Sequence, residues 1–268
     1  MKLSIVLSTQ PASFSALAYS GHWAENFRKI ARLGYDGVEL AVRDPSLVDG
    51  ALLKSLLAEN SLPVPAIGTG QAFGEDGLSF THSDPRVRER AIERVKSHIC
   101  LAADVGALVI IGLVRGKRMP GVSEQKAEAW LTEALRDCAG ENKAVGLAIE
   151  PINRYETDLI NTVGSAMALV ERLGMENVGL LLDTFHMNIE EPSMTDSIAA
   201  SRDRLFHVHV ADSNRWFPGA GHIDFRSMLE ALEKIDYRDF LSAEILPLPD
   251  PDSAAANTIT HIRMLAGP

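Results

Sequence analysis

Cysteine is scarce in this chain: Cys100 and Cys138 are the only two in 268 residues. They form neither a CxxC pair nor a spaced framework, which excludes a disulfide scaffold and a thiolate metal site and reads as two reduced thiols in helices. Positive charge is also short. Twenty-six Lys and Arg stand against 36 Asp and Glu, a formal net charge of −10. That balance excludes a general nucleic-acid binder, whose affinity rests on clustered basic residues, while leaving room for a local basic pocket. No apolar run approaches the roughly 20 residues of a membrane-spanning helix. The opening MKLSIVLSTQPASF has one basic residue and a run closed by polar residues after Leu7, the pattern of a first strand and not of a signal peptide. A cytoplasmic protein without membrane or nucleic-acid partners is expected. A phosphate loop is missing too: the one glycine-rich stretch, GTGQAFGEDG at 68–77, lacks the spacing of a dinucleotide site.

What remains is an ordinary globular composition, 46% hydrophobic and 23% charged, organised in a regular alternation. Short apolar runs at 2–8, 36–42, 63–70, 107–114, 145–152, 178–186, 205–212 and 240–247 read as strands. Amphipathic segments such as WAENFRKIARLG and DPRVRERAIERVKSHICLAADVG lie between them, with glycine stops at their ends. Strands apolar on both faces suit a parallel sheet covered by helices. Eight strand–helix units without an intervening linker predict an α/β fold, a single (β/α)₈ TIM-barrel domain over residues 1–268. A doubly wound sheet is the competing architecture.

In such a barrel the active site lies at the C-terminal ends of the strands, so polar side chains late in apolar strands are the informative exceptions. They are Glu39 in GVEL, Glu150 in LAIEP, Asp183 in LLLDT, His209 in HVHVAD and Glu244 in LSAEIL. Burying one lone carboxylate costs several kcal/mol or forces protonation. The last four come from four consecutive strands and converge on one volume, where three carboxylates would repel severely without a cation. They predict one divalent metal held by Glu150, Asp183, His209 and Glu244, with Mn²⁺ preferred and Co²⁺, Mg²⁺ or Zn²⁺ compatible. His207, one layer deeper than His209 on the same face of the strand, reads as a residue that orients a ligand. His186, Glu156, Arg154 and Arg215 occupy the following loops and are candidates for substrate contact, as is Glu39. His22 and Trp23 after the first strand are candidates for a lid or a helix start. His82, His222 and Asp212 have no distinguishing context.

At these residues the sequence resembles the xylose isomerase-like superfamily of sugar epimerases and isomerases. AIEPINRYETDLINT, GLLLDTFHMNIEE, HVHVADSNRWFPGAGHIDF and LSAEIL look like that family's signatures for strands five to eight. AVRDPS, AIGTGQAF, DGLSFTH and LVIIGLVRGK look more like its 5-keto-L-gluconate epimerase branch than like its D-tagatose 3-epimerase or hydroxypyruvate isomerase branches. The resemblance puts the metal quartet on Glu150, Asp183, His209 and Glu244, and substrate contacts on Glu156, His186 and Arg215. It implies a keto sugar or keto sugar acid as substrate and a dimer or tetramer as assembly.

The chemistry follows from the residue types. A C–H beside a ketone becomes acidic once a cation polarises the carbonyl and stabilises the enediolate. Inverting that carbon needs a base on one face and an acid on the other, and Glu150 and Glu244 arrive from strands five and eight. Arg215 or Arg154, with Arg115 and Arg118 from VRGKR, could bind the carboxylate of a keto sugar acid. Four rivals share the barrel. A dehydratase of the inosose type and a hydroxypyruvate or ketose isomerase would use the same metal site. An endonuclease IV-like repair enzyme would need further histidines at early strand ends, where this chain has Glu39 and Thr69. A barrel without catalysis would have no activity to lose.

Overall fold

The computed structural model describes residues 1–266. Eight parallel strands close into a ring: β1 Lys2–Ser8, β2 Gly37–Ala41, β3 Ala66–Gly68, β4 Leu108–Ile111, β5 Leu147–Ile149, β6 Val178–Asp183, β7 Leu205–Val210 and β8 Phe240–Ala243, with β8 pairing back onto β1. A two-residue strand, Tyr19–Ser20, adds to β1 at its mouth end through Leu7 and Ser8. β1 covers its apolar run in full, and the other strands are shorter than the runs that announced them. The run expected to continue to His186 stops at Asp183, because that carboxylate accepts the Phe185 N–H at 2.8 Å and starts the helix Thr184–Glu190. β5 and β8 likewise end one residue before Glu150 and Glu244, so both carboxylates stand on the rim of the barrel.

The alternation of each strand separates two environments. Outward residues such as Ile5, Leu40, Val109, Leu147, Leu180 and Val208 join the core shared with the helices. Inside, Ala66, Ile110, Ala148 and Leu181 form a small apolar cluster against which Leu108 and Phe206 pack. The Phe206 ring occupies space that glycine leaves open: a Cβ at Gly179 would come within 2.6 Å of it. To fit both Phe206 and His207, the β6–β7 ladder shifts register between Leu180 and Leu181, pairing Leu181 with His207 and Asp183 with His209. That shift brings both imidazoles to the inner face.

The helices start on designed caps. Asp49, Asp84, Ser123 and Asp224 each accept a backbone N–H of the first turn, and Thr162 with Ser165 forms a reciprocal capping box. Gly34, Gly106 and Gly174 close three of the helices in the left-handed conformation. No helix among the described residues is long and apolar enough to cross a membrane.

Candidate active site

Four side chains meet above the inner apolar cluster. Glu150, Asp183, His209 and Glu244 each offer one ligand atom, and these atoms all lie within 4.8 Å of one another. His209 Nδ1 is 3.9 Å from Glu150 Oε1 and 4.0 Å from Glu244 Oε2, too far for hydrogen bonds and right for groups that share something between them. Glu150 Oε1, Asp183 Oδ2 and His209 Nδ1 are buried and have no hydrogen-bond partner. Leaving three such atoms bare is costly, and a divalent cation satisfies all three at once. Three carboxylates with one imidazole also suit a hard or borderline cation. These four residues are a candidate metal site. Burial first, then repulsion by Glu244, pushes the Glu150 carboxyl well above the ordinary carboxylate range. Glu244 is raised by burial as well, against the opposing pull of His209 and Arg215.

His209 is held from behind. Its Nε2 lies 2.9 Å from Glu39 Oε1, and His207 Nε2 lies 2.8 Å from Glu39 Oε2. An ionised carboxylate only accepts, so both Nε2 atoms carry protons, and Nδ1 of His209, facing the carboxylates, is the atom whose lone pair a cation would take in place of a proton. Burial works to raise Glu39 and is outweighed by the two imidazoles, which hold it well below its ordinary range. Burial would depress His209, but Glu39, with Glu244 and Glu150, raises it to about 10. Without a metal, a proton on His209 thus adds to the charge of Arg215 at the site. Glu39, His207 and His209 also have atoms close enough to make a metal group, yet direct hydrogen bonds already fill the space between them.

A second layer of polar contacts surrounds the mouth. His186 Nε2 points at Glu150 Oε1 (3.6 Å) and Asp183 Oδ2 (3.7 Å). The Asn153 amide donates to His186 Nδ1 at 2.8 Å and shares its NH₂ with Glu156 Oε1 at 3.0 Å. Nδ1 is therefore the acceptor, and Nε2–H faces the site. Burial lowers His186 to about 4, so it is neutral. Arg215 bridges Glu156 (3.1 Å) and Glu244 (2.8 Å) from a backbone with φ of 61°, and its side chain lies against the Phe14 and Phe185 rings. Burial opposes its charge, and Glu244, Asp183 and Glu156 overcome that and hold it firmly protonated.

The other residues singled out in the sequence are engaged by the protein itself. Glu39, proposed as a substrate contact, spends both carboxylate oxygens on imidazoles. Arg154 turns to the surface and forms a bidentate pair with Glu190. Arg115 is fully buried, spends four of its five N–H donors on the carbonyls of Leu159, Gly112, Glu150 and Ile160, and does not line the cavity. Arg118 pairs with Asp158. His22 starts the helix Trp23–Leu33 in a left-handed conformation, His82 accepts the Asp84 N–H, and His222 bonds Ser213. Asp212 organises its own loop by accepting from Ser213, Gly219 and Ile223. Asn153 escaped the sequence reading; its one signal is that it opens the stretch NRYET, and only the fold shows which ring it orients.

The quartet opens into a cavity of about 240 Å³, lined on the far side by Ser13, Phe14, Leu17, Gln71 and Phe73. That is room for a small polar molecule. Residues 27–265 match the model of the xylose isomerase-like TIM barrel family. The chain is 34% identical over 260 residues to the L-ribulose 3-epimerase of Methylomonas sp. (strain DH-1), spanning 93% of this chain and 89% of that protein. It is 30% identical to the hydroxypyruvate isomerase of Escherichia coli (strain K12), spanning 88% and 92%. The solved D-allulose 3-epimerase from Methylomonas sp. in complex with D-allulose superposes with a TM-score of 0.82 at 29% identity, over 98% of this chain and 99% of that one. The protein belongs to the xylose isomerase-like TIM barrel family and, like these relatives, is an isomerase.

Proposed function

We propose that the protein is a metal-dependent epimerase that inverts the carbon beside the ketone of an uncharged keto sugar. The observation that carries this reading is the convergence of Glu150 Oε1, Asp183 Oδ2 and His209 Nδ1, three buried atoms without partners at the mouth of a small cavity. A divalent ion bound there, Mn²⁺ in the first place and Co²⁺, Mg²⁺ or Zn²⁺ as alternatives, supplies Lewis-acid stabilisation of the charge that develops when the C–H is broken.

The chain's own groups do the proton work. Glu150 and Glu244 stand on the rims of β5 and β8 and approach a substrate from different sides. One takes the proton from the carbon next to the ketone, and the other returns a proton to the opposite face of the enediolate, with roles exchanged in the reverse direction. Arg215 keeps Glu244 aimed. In this reading the His186 Nε2–H and the Glu156 carboxylate hydrogen-bond the substrate oxygens, and Phe14, Phe73 and Leu17, which line the same cavity, exclude water from the far wall.

An uncharged ketose fits better than the keto sugar acid implied by the 5-keto-L-gluconate resemblance. Among the described residues Arg215 is the one Lys or Arg lining the cavity, and Glu156 and Glu244 already neutralise it. L-Ribulose and D-allulose, named for two similar proteins, are substrates of the kind expected. The test is a panel of ketoses and keto-hexuronates followed by NMR in D₂O, with and without chelation and Mn²⁺ add-back. Deuterium at the ketone-adjacent carbon with inversion, lost on chelation, is the expected outcome. Loss of water would mark a dehydratase, carbonyl migration an isomerase of the hydroxypyruvate type, and turnover that survives exhaustive chelation would sink the metal-dependent mechanism.

A further inference from the structure

Apart from the candidate metal ligands, two cavity-lining residues have a buried atom without a hydrogen-bond partner: Arg215 at Nε, on a guanidinium already bridging Glu156 and Glu244, and Gln71 at Oε1. Gln71 follows β3, in the short helix Gly70–Gly74, and is 5% exposed. β3 stands four strands from β7 in the ring of eight, so Gln71 and His209 line opposite sides of the mouth. The amide is locked in one orientation. Its Nε2 donates to Ser8 Oγ at 2.7 Å, and the Ser8 hydroxyl spends its own proton on the Gln10 carbonyl at 2.5 Å. Ser8 can therefore only accept from Gln71, which leaves Oε1 as a fixed acceptor with no donor. A buried acceptor held bare by a dedicated relay is expected to meet a donor that arrives with the ligand. The walls beside it, Phe14, Leu17 and Phe73, supply no such donor.

We propose that Gln71 is a specificity residue of this site, accepting a hydrogen bond from a hydroxyl at the end of the keto sugar remote from the reacting carbon. The assignment rests on the keto-sugar reading above. With the carbonyl end at Glu150 and Glu244, the remote hydroxyls point toward β3, and Oε1 discriminates sugars that present a donor there from those that present hydrogen. The interaction is the same in the ground and transition states, so it acts on KM more than on kcat.

The test is a substrate–enzyme double-mutant cycle on the Mn²⁺-loaded protein. Wild type and Gln71→Met are assayed on an epimerised ketohexose and on its 5-deoxy and 6-deoxy counterparts. Gln71→Met is expected to raise KM for the parent sugar roughly tenfold at nearly constant kcat, the worth of one hydrogen bond with an otherwise unpaired partner. One deoxy sugar is expected to cost wild type the same factor and to cost Gln71→Met nothing further. A variant that loses equally on all three sugars, or on none, overturns the assignment while wild-type turnover leaves the function standing. A wild type that epimerises no ketose overturns the function, and this assignment with it. Should Gln71→Met fail to fold, Gln71→Asn, which withdraws the oxygen by one methylene, decides by the same pattern.

Discussion

His209 meets two carboxylates with opposite edges of one ring: Nε2 lies 2.9 Å from Glu39 Oε1, and Nδ1 lies 3.9 Å from Glu150 Oε1. The first contact fixes the tautomer that makes the second atom available to a cation. Glu39 also accepts from His207 Nε2–H, so two imidazoles and one carboxylate form a rigid, fully buried support beneath the site.

Glu39→Gln is therefore expected to weaken Mn²⁺ binding by about 10- to 100-fold, the usual effect of removing a carboxylate behind a ligating histidine. His207→Gln should weaken binding less or lower stability, whereas His209→Ala should abolish it. Titration calorimetry on the purified variants measures all three. An Mn²⁺ affinity of Glu39→Gln equal to wild type would refute the supporting role.

Arg115→Met should be among the most destabilising single changes in the chain. It removes a fully buried guanidinium that serves four backbone carbonyls, among them that of Ile160, a β-branched residue held at φ of 55°. Stranding those acceptors is expected to cost about 3–5 kcal/mol, read as a lowered urea midpoint. A midpoint shift worth under about 1 kcal/mol would show that the loop 152–161 holds itself.

Without metal, the protein should lose stability as pH rises from about 6.5 to 8. Glu150 and Glu244 have folded pKa values above their unfolded ones, so their ionisation above about pH 4.3 penalises the native state. His209, raised to about 10, stabilises fully below its unfolded value of about 6.5 and less as pH climbs through that window. His186, lowered to about 4, opposes this trend only below about pH 6.5. A cation replaces the protons on Glu150 and His209. The Mn²⁺-induced rise in Tm should accordingly be larger at pH 8 than at pH 6.5, and a smaller rise at pH 8 would contradict the electrostatic account.

Arg215→Lys should lower kcat/KM at least tenfold although charge is kept. A single ammonium cannot reproduce the fork that reaches Glu156 at 3.1 Å and Glu244 at 2.8 Å together. Steady-state kinetics on the best ketose of the panel, with metal saturating, checks this. Unchanged kinetics would mean that Glu244 is aimed without the bridge.

Strand count, parallel order and the inward position of Glu150, Asp183, His209 and Glu244 near strand ends were legible in the chain because each follows from a local pattern. Apolar runs alternate with amphipathic helices, and a period of two places each polar exception on the inner face near a strand end. What Glu39, Arg115, Arg154 and Gln71 do was not legible. A buried carboxylate or guanidinium has the same letter whether it meets substrate, an imidazole or a carbonyl, and the partner lies up to 170 residues away, as for Glu39 and His209. Closure of the barrel and the register shift at Leu180–Leu181 choose those partners. The sequence by itself determined the barrel and its inward acids; the tertiary structure decided which of them face each other across a space fit for a cation, because only packing sets distances between residues remote along the chain.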